Sequence, residues 1–415
     1  MNGLLNLNHK YLTFFPMTLI TLVSGQLSPN FFSVRLLSPS RLVLVHTIDT
    51  SDEADLLAEV AQRKPEYGVS ECMKAETAPF HPGKIRSAAQ QLLARLTEEG
   101  VDASEIVLNY TGGTKPMAIQ FVEVFRQAGA QLLYIDTQQE TCWWTVGGEL
   151  QEKPLTLKLD IPELLALRQT EMPDQTDKTM IQGLEKLSGW LFDIKKQTVK
   201  GSPAAHSALL KWLKTAGHTQ GTLPKYGHER SKALESWIPD FSAGPDYALQ
   251  LAPVQKSALQ MQVRFEDQSF SYKKKEFWLS YFVGGWFEFW VYQQLEQTGA
   301  YDDIRCNVRM KISAAAAGKQ QQVKNEVDVL AVKNGTPVFV ECKSGVVTQK
   351  SITNLKIMSD TYGGRYSEAV LVSLYPVSNP VLKEKIEENG ILLLDKAENL
   401  PEELARLHEY MLVKT

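Results

Sequence analysis

Three side chains late in the chain have the types and spacing needed to hydrolyse a phosphodiester: Asp328, Glu341 and Lys343. They lie in NEVDVLAVKNGTPVFVECK, residues 325–343, where two β-rich runs flank Asn334-Gly335. Asn-Gly between such runs is a strong hairpin signal. A hairpin turning there brings Asp328 near Glu341 and Lys343, and these last two, two apart on a strand, share a face. Two carboxylates offer hard oxygen ligands to a divalent cation, and phosphodiester attack needs a cation beside the nucleophile. The plainer alternative is a strand-edge salt bridge between Asp328 and Lys343, contributing only about 0–1 kcal/mol. A second constellation is Thr111-Gly112-Gly113-Thr114-Lys115, which follows the apolar run Glu105–Tyr110 and precedes a helical pattern with Pro116 in its first turn. Its glycines allow close backbone approach, its threonines and helix-start amides can donate to phosphate, and Lys115 adds a charge. The spacing is not that of a Walker loop, and no GxGxxG follows the first strand, so a nicotinamide cofactor is not expected.

The elements that must position these residues are readable from periodicity. Residues 17–147 alternate strands (Met17–Val23, Arg41–His46, Glu105–Tyr110, Gln131–Asp136, Thr141–Val146) with helices over 51–63, 84–98 and 115–128. This predicts a doubly wound α/β domain whose ligand loops lie at the carboxyl ends of its strands: Ser24–Asn30, His46–Asp49 and Thr111–Lys115. Residues 151–275 read as a small, mostly helical or winged-helix-like connector, with helices over 178–196 and 204–216, a strand pair at 259–265 and 269–272 turning at Glu266-Asp267, and a basic run, Lys273–Lys275. From Glu276 an aromatic helix runs to Glu296, interrupted by Gly284-Gly285. A strand at 303–313 and the hairpin follow, then a helix over 348–361 and a strand at Ala369–Leu374. Beyond these come a strand at Ile391–Leu394 and a helix over 400–412. Glu288 lies within the aromatic helix, so it must be at the helix edge, paired, or holding a cation.

Bulk properties constrain partners only weakly. A chain of 415 residues suggests two or three domains, and a net charge of −4 requires any nucleic-acid contact to be local. Four scattered cysteines without a CxxC pair argue against a zinc site or disulfide framework and suit a reducing cytoplasm. The apolar stretch Tyr11–Val23 is too short to span a membrane. Its second half reads as the first strand, leaving residues 1–16 as an N-terminal extension, and no membrane partner is expected.

The pattern Glu288 … Asp328 … Glu341-x-Lys343, with its element order, resembles the PD-(D/E)xK nuclease superfamily. The Pro-Asp pair is missing, and Asp328 sits in Asn-Glu-Val-Asp instead. The resemblance implies that Asp328, Glu341 and the Cys342 carbonyl hold Mg²⁺ or Mn²⁺, with Glu288 completing the shell directly or through water. Lys343 would orient the attacking water, and Glu326, facing the same side as Asp328, is an alternate ligand.

The front domain, with Ser24-Gly25-Gln26 after its first strand and Asn109–Lys115 after a central one, resembles CARF domains, the Rossmann-like sensors of CRISPR-associated proteins. The layout is similar to the CARF nucleases of type III CRISPR ancillary defence: residues 17–150 the sensor, 151–275 the connector, 276–415 a restriction-endonuclease-like α/β domain. Such proteins are homodimers that bind a cyclic oligoadenylate, usually the tetra-adenylate, and then cleave RNA or DNA. The resemblance implies that Ser24, Gly25 and Gln26 contact the ligand and that Thr111, Gly112, Gly113, Thr114 and Lys115 cradle its phosphates. Asn30, His46 and Thr47 are candidates only through the strand-end argument. Two other readings stand beside this one: an unregulated repair or restriction-type nuclease, which leaves the glycine loop unused, and a non-catalytic nucleotide-sensing regulator, which makes the hairpin residues incidental.

Overall fold

The computed structural model describes residues 17–137, 139–146, 148–199, 240–242, 248–255, 258–265, 268–272, 280–312, 325–364 and 367–413. The expected N-terminal extension, the helix over 204–216, the Glu266-Asp267 turn and the run Lys273–Lys275 lie outside the described residues.

The front domain is built on β1 (Thr18–Leu22), β2 (Arg41–His46), β3 (Glu71–Glu76), β4 (Ile106–Asn109), β5 (Gln131–Asp136), β6 (Thr141–Val146) and β7 (Glu149–Pro154). They form one sheet in the order β3-β2-β1-β4-β5-β6-β7, parallel from β3 to β5 and antiparallel thereafter. β1 and β4 are buried along their whole length, as central parallel strands must be. Helices α1 (Ser28–Leu37), α2 (Ser51–Ala61), α3 (Pro82–Glu98) and α4 (Lys115–Ala128) cover its faces. Three elements of this domain escaped the sequence reading, β7 among them, a fully exposed edge strand. β3 is an edge strand with alternating charge and so lacks an apolar run. α1 buries seven of its ten residues and therefore shows no amphipathic stripe, although Pro29 marks its first turn.

Beyond β7 come α5 (Ile161–Ala166), β8 (Thr170–Asp174), α6 (Lys178–Gly183) and α7 (Glu185–Val199). Next is a four-stranded antiparallel sheet of β9 (Asp240–Ser242), β10 (Ala248–Gln255), β11 (Ala258–Phe265) and β12 (Gln268–Tyr272). β11 and β12 are the strand pair expected from the sequence. The back domain follows with α8 (Trp286–Gln297), β13 (Asp303–Ile312), β14 (Asn325–Lys333), β15 (Thr336–Lys343) and α9 (Gln349–Met358). It ends with β16 (Glu368–Ser373), α10 (Pro380–Glu388), β17 (Leu392–Leu394), α11 (Leu400–Ala405) and α12 (Leu407–Val413). Its sheet runs β17-β16-β15-β14-β13-β8. Much of the expected connector therefore belongs to the back domain by packing. β8 pairs antiparallel with β13, and Phe192 of α7 stacks on Trp290 of α8, with centroids 3.7 Å apart. The aromatic stripe of α8 is core: Trp286, Phe287, Phe289 and Trp290 are all buried.

The two sheets share one apolar core, in which Phe31, Phe32 and Leu42 join Val332, Phe339 and Leu355. The Asn334-Gly335 turn lies at this junction. Asn334 and Gly335 both have positive φ, as a two-residue hairpin turn demands. Asn334 donates to the Glu140 carboxylate at 2.6 Å from its side chain and to Asp302 at 2.8 Å from its backbone. A Cβ on Gly335 would lie 2.3 Å from the Phe32 ring. Gly335→Ala is therefore expected to lower the apparent Tm by several degrees in calorimetry, at about 2–4 °C for each kcal/mol lost. An unchanged Tm would mean that the turn is not seated against Phe32.

Candidate active site

The register between β14 and β15 runs from Lys333↔Thr336 to Val329↔Val340, so the next step sets Asp328 opposite Glu341. There the strands part. The amide of Cys342 donates to Asp328 Oδ2 at 2.7 Å, so a side chain takes the place of a ladder bond. Lys343 closes the opening: its Nζ pairs with Glu341 Oε1, lies 4.0 Å from Asp328 Oδ2 and donates to the Cys342 carbonyl at 3.3 Å. The Cys342 side chain is buried in the opposite core, leaving only its backbone at the site.

Glu288 reaches the same place from α8. One π-helical turn, Tyr281–Gly285, precedes that helix, with Gly284 and Gly285 in it. Gly285 packs beside Glu288: a Cβ there would lie in ordinary contact with the Glu288 carboxylate, 3.8 Å from Oε2, and with the Ser280 carbonyl at 3.4 Å. Such turns occur often at functional sites. Glu326 is drawn away into an ion pair with Arg309 at 2.8 Å, and Arg309 also pairs with Asp174. It remains near enough to act electrostatically on Glu288.

Charge is unbalanced here. The Glu288 carboxyl is raised to about 7: burial raises it most, Lys343 pulls it down, and Glu326 and Glu341 add to the rise. Burial, then Glu288 and Glu341, hold Asp328 well above the usual carboxylate range against the pull of Lys343 and the Cys342 amide. Burial works against the charge on Lys343, but Asp328 and Glu341 outweigh it and raise its pKa. Among the described residues no three His, Cys, Asp or Glu side chains form a ready-made metal cage. The donor chemistry nonetheless fits a hard divalent cation: three crowded carboxyl groups and a carbonyl share one ammonium.

The strand-end loops of the front domain divide sharply. Gly112 approaches β1 so closely that a Cβ would sit 2.1 Å from the Leu22 carbonyl, and Gly113 has φ +74°. Thr114 caps α4, accepting from the Met117 amide at 3.3 Å, and its hydroxyl donates to the Pro79 carbonyl. The Thr111 hydroxyl donates to Asn109 Oδ1 at 2.7 Å and accepts the Ile135 amide at 2.7 Å. Gly25 and Lys115 are exposed, and Ser24 and Gln26 half-buried. Ser24 donates to the Gln26 carbonyl at 3.1 Å, shaping that loop.

Three sequence candidates turn inward instead. Asn30 is fully buried and donates to Thr21 and to the Leu22 carbonyl, both at 2.7 Å. His46 is buried with Nδ1 donating to the Thr47 carbonyl at 2.9 Å. Thr47 is buried in a capping box with Thr50. These three hold the loops rather than face outward from them, because a polar group buried beside a strand end must find a partner there. Asn109, which opens the quoted motif but was given no role from the sequence, plays the same part. It is fully buried, donates to the Pro29 carbonyl at 3.2 Å and to Ser33 at 3.0 Å, and accepts from Thr111.

Residues 18–163 match the model of the Card1 CARF domain, and residues 276–413 match that of the Card1-like endonuclease domain. The chain carries a Card1-type CARF domain and a Card1-like endonuclease domain. Among solved structures it resembles Can2 from Sulfobacillus thermosulfidooxidans in complex with cyclic tetra-adenylate, at 19% identity and TM-score 0.65, covering 94% of this chain and 99% of that one. Protein VC1899 from Vibrio cholerae matches at 15% identity and TM-score 0.69, covering 95% and 98%. A type III CRISPR defence DNA nuclease activated by cyclic oligoadenylate matches at 16% identity and TM-score 0.52, covering 94% of this chain and 51% of that one. No curated protein matches significantly. The chain thus joins a CARF domain to an endonuclease domain.

The two strand-end glycines should respond differently to substitution. Gly112→Ala forces a Cβ onto backbone and should lower the apparent Tm measurably. Gly25→Ala meets nothing within 4 Å and should stay within about 0.5 kcal/mol of the parent. Equal effects would contradict the close approach of Gly112 to β1.

Proposed function

We propose that this protein is a cyclic-oligoadenylate-activated, metal-dependent endonuclease of type III CRISPR defence that cleaves RNA or DNA and works as a cytoplasmic homodimer. The observation that carries the reading is the convergence of Glu288, Asp328, Glu341 and Lys343 where β14 and β15 part. Buried carboxylates sharing one ammonium are costly in a scaffold and useful in a phosphodiester site. Glu288, Asp328, Glu341 and the Cys342 carbonyl would hold Mg²⁺ or Mn²⁺, which when bound polarises the phosphate and acidifies a water. Lys343 orients the nucleophile and offsets the charge that develops on the phosphoryl oxygens. Asp328, fixed by the Cys342 amide, is aligned before substrate arrives.

The front domain supplies the control. Lys115 and the amides at the start of α4 meet a phosphate, while Ser24, Gly25 and Gln26 line the facing loop. Cyclic tetra-adenylate is the ligand seen in the similarly built Can2, and a twofold ligand fits a twofold pair of sensors. Exposed apolar side chains on the sensor, Ile48, Phe80 and Ile119, offer a surface for the second copy. The signal has a short route. α1 begins where the Ser24–Leu27 loop ends and presses Phe32 against the hairpin turn, whose other end carries Asp328 and Glu341. For the ligand to switch the enzyme, it must bind one arrangement of this route better than another.

The decisive assay incubates the protein with Mn²⁺ and labelled RNA, single-stranded DNA or plasmid, with and without cyclic tetra-adenylate. Cleavage is expected only with the ligand, and chelation should abolish it. Equal cleavage without ligand would favour the unregulated nuclease, and none under any condition would favour the regulator. Glu341→Ala should remove cleavage and keep ligand binding. Lys115→Ala should weaken ligand binding and raise the activator concentration needed, while leaving cleavage at saturating activator. Normal cleavage by Glu341→Ala would overturn the site assignment.

A further inference from the structure

β13 pairs with β14 from Asp303↔Val332 to Cys306↔Val329, and again from Val308↔Val327 to Met310↔Asn325. The position skipped is Asn307, which lies opposite Asp328. Asn307, Asp328 and Glu341 thus form one row across three strands. Asn307 also has φ +51°, in the left-handed region, and no other residue of β13 has a positive φ. That backbone is uncommon for a non-glycine residue inside a strand, even for asparagine, and its surroundings hold it there. Those surroundings are specific. Asn307 Oδ1 accepts from Cys306 Sγ at 3.5 Å, and the carboxamide is near enough to Glu288 to favour the charged form of its carboxyl group. Asn307 also lines a cavity of ≈ 320 Å³ together with Gly285, Phe289, Glu326 and Arg309, beside the π-helical turn that precedes Glu288.

We propose that Asn307 is a positioning residue of the nuclease site, holding the Glu288 carboxylate toward Asp328 so that the two act on one cation. This rests on the reading of Glu288, Asp328 and Glu341 as the metal ligands. An alanine would confound two effects, because it loses the carboxamide and also resists the left-handed backbone. Glycine separates them, since it adopts that backbone freely and lacks only the side chain. Aspartate keeps the shape and replaces the donor with another negative charge.

The test is Mn²⁺ binding by calorimetry on the full chain with cyclic tetra-adenylate bound, for the wild type, Asn307→Gly, Asn307→Asp and Glu341→Ala. Loss of a group that orients a metal ligand costs about 10–100-fold in metal affinity. Asn307→Gly is expected to lose at least about tenfold in Mn²⁺ affinity, within that range. Its half-saturating Mn²⁺ in cleavage should rise in parallel and cleavage should recover at high Mn²⁺; a merely structural role would not produce this recovery. Asn307→Asp should be no better. Wild-type Mn²⁺ affinity in Asn307→Gly, with Glu341→Ala impaired, would overturn this inference alone. Wild-type affinity in Glu341→Ala would overturn the assignment of the site itself.

Discussion

One hairpin is fixed at both ends, and the rest of the molecule is arranged around that constraint. At its turn, Gly335 presses on the Phe32 ring of the front domain and Asn334 is tied to Glu140 and Asp302. At its open end, Lys343 bridges Asp328 and Glu341 while the Cys342 amide is captured by Asp328. Between these ends, β14 and β15 are paired strands with buried side chains on both faces, which transmit displacement rather than absorb it.

The electrostatics of the open end complement that mechanical picture. Three carboxyl groups and one ammonium are gathered in a place that burial makes unfavourable for charge. Such an arrangement adds little to stability and removing one partner is damaging, so its justification is chemical. Hard oxygen donors short of positive charge are the setting in which a divalent cation contributes most. The front domain shows a different economy: its polar strand-end residues are spent on each other. Asn30, Asn109, Thr111 and Thr114 bind backbone and neighbours, leaving Lys115 and Gly25 exposed at the strand ends.

Legibility followed packing. The hairpin announced itself through Asn334-Gly335 because two-residue turns demand positive φ from both residues. β4 and β1 were readable as apolar runs, and α4 as a proline-started amphipathic helix, because local pattern and final burial agree there. α1 was hidden because it is buried almost all round, and β3 because it is a solvated edge. β8 was read as connector because its pairing with β13 spans more than a hundred residues of sequence, which no local period records.

The sequence by itself determined the chemistry available: Glu288, Asp328, Glu341 and Lys343 in an order that folds together, and a glycine loop ending in Lys115. Tertiary structure alone decided which polar residues face outward. It buried Asn30, His46 and Thr47 by giving each a partner beside a strand end, and drew Glu326 off to Arg309. It set Asn307 opposite Asp328 with a left-handed backbone, which register and φ reveal and composition cannot. The physical reason is the same in each case. Residue type fixes what a side chain can do, but its orientation depends on partners contributed by strands and helices far away in the chain.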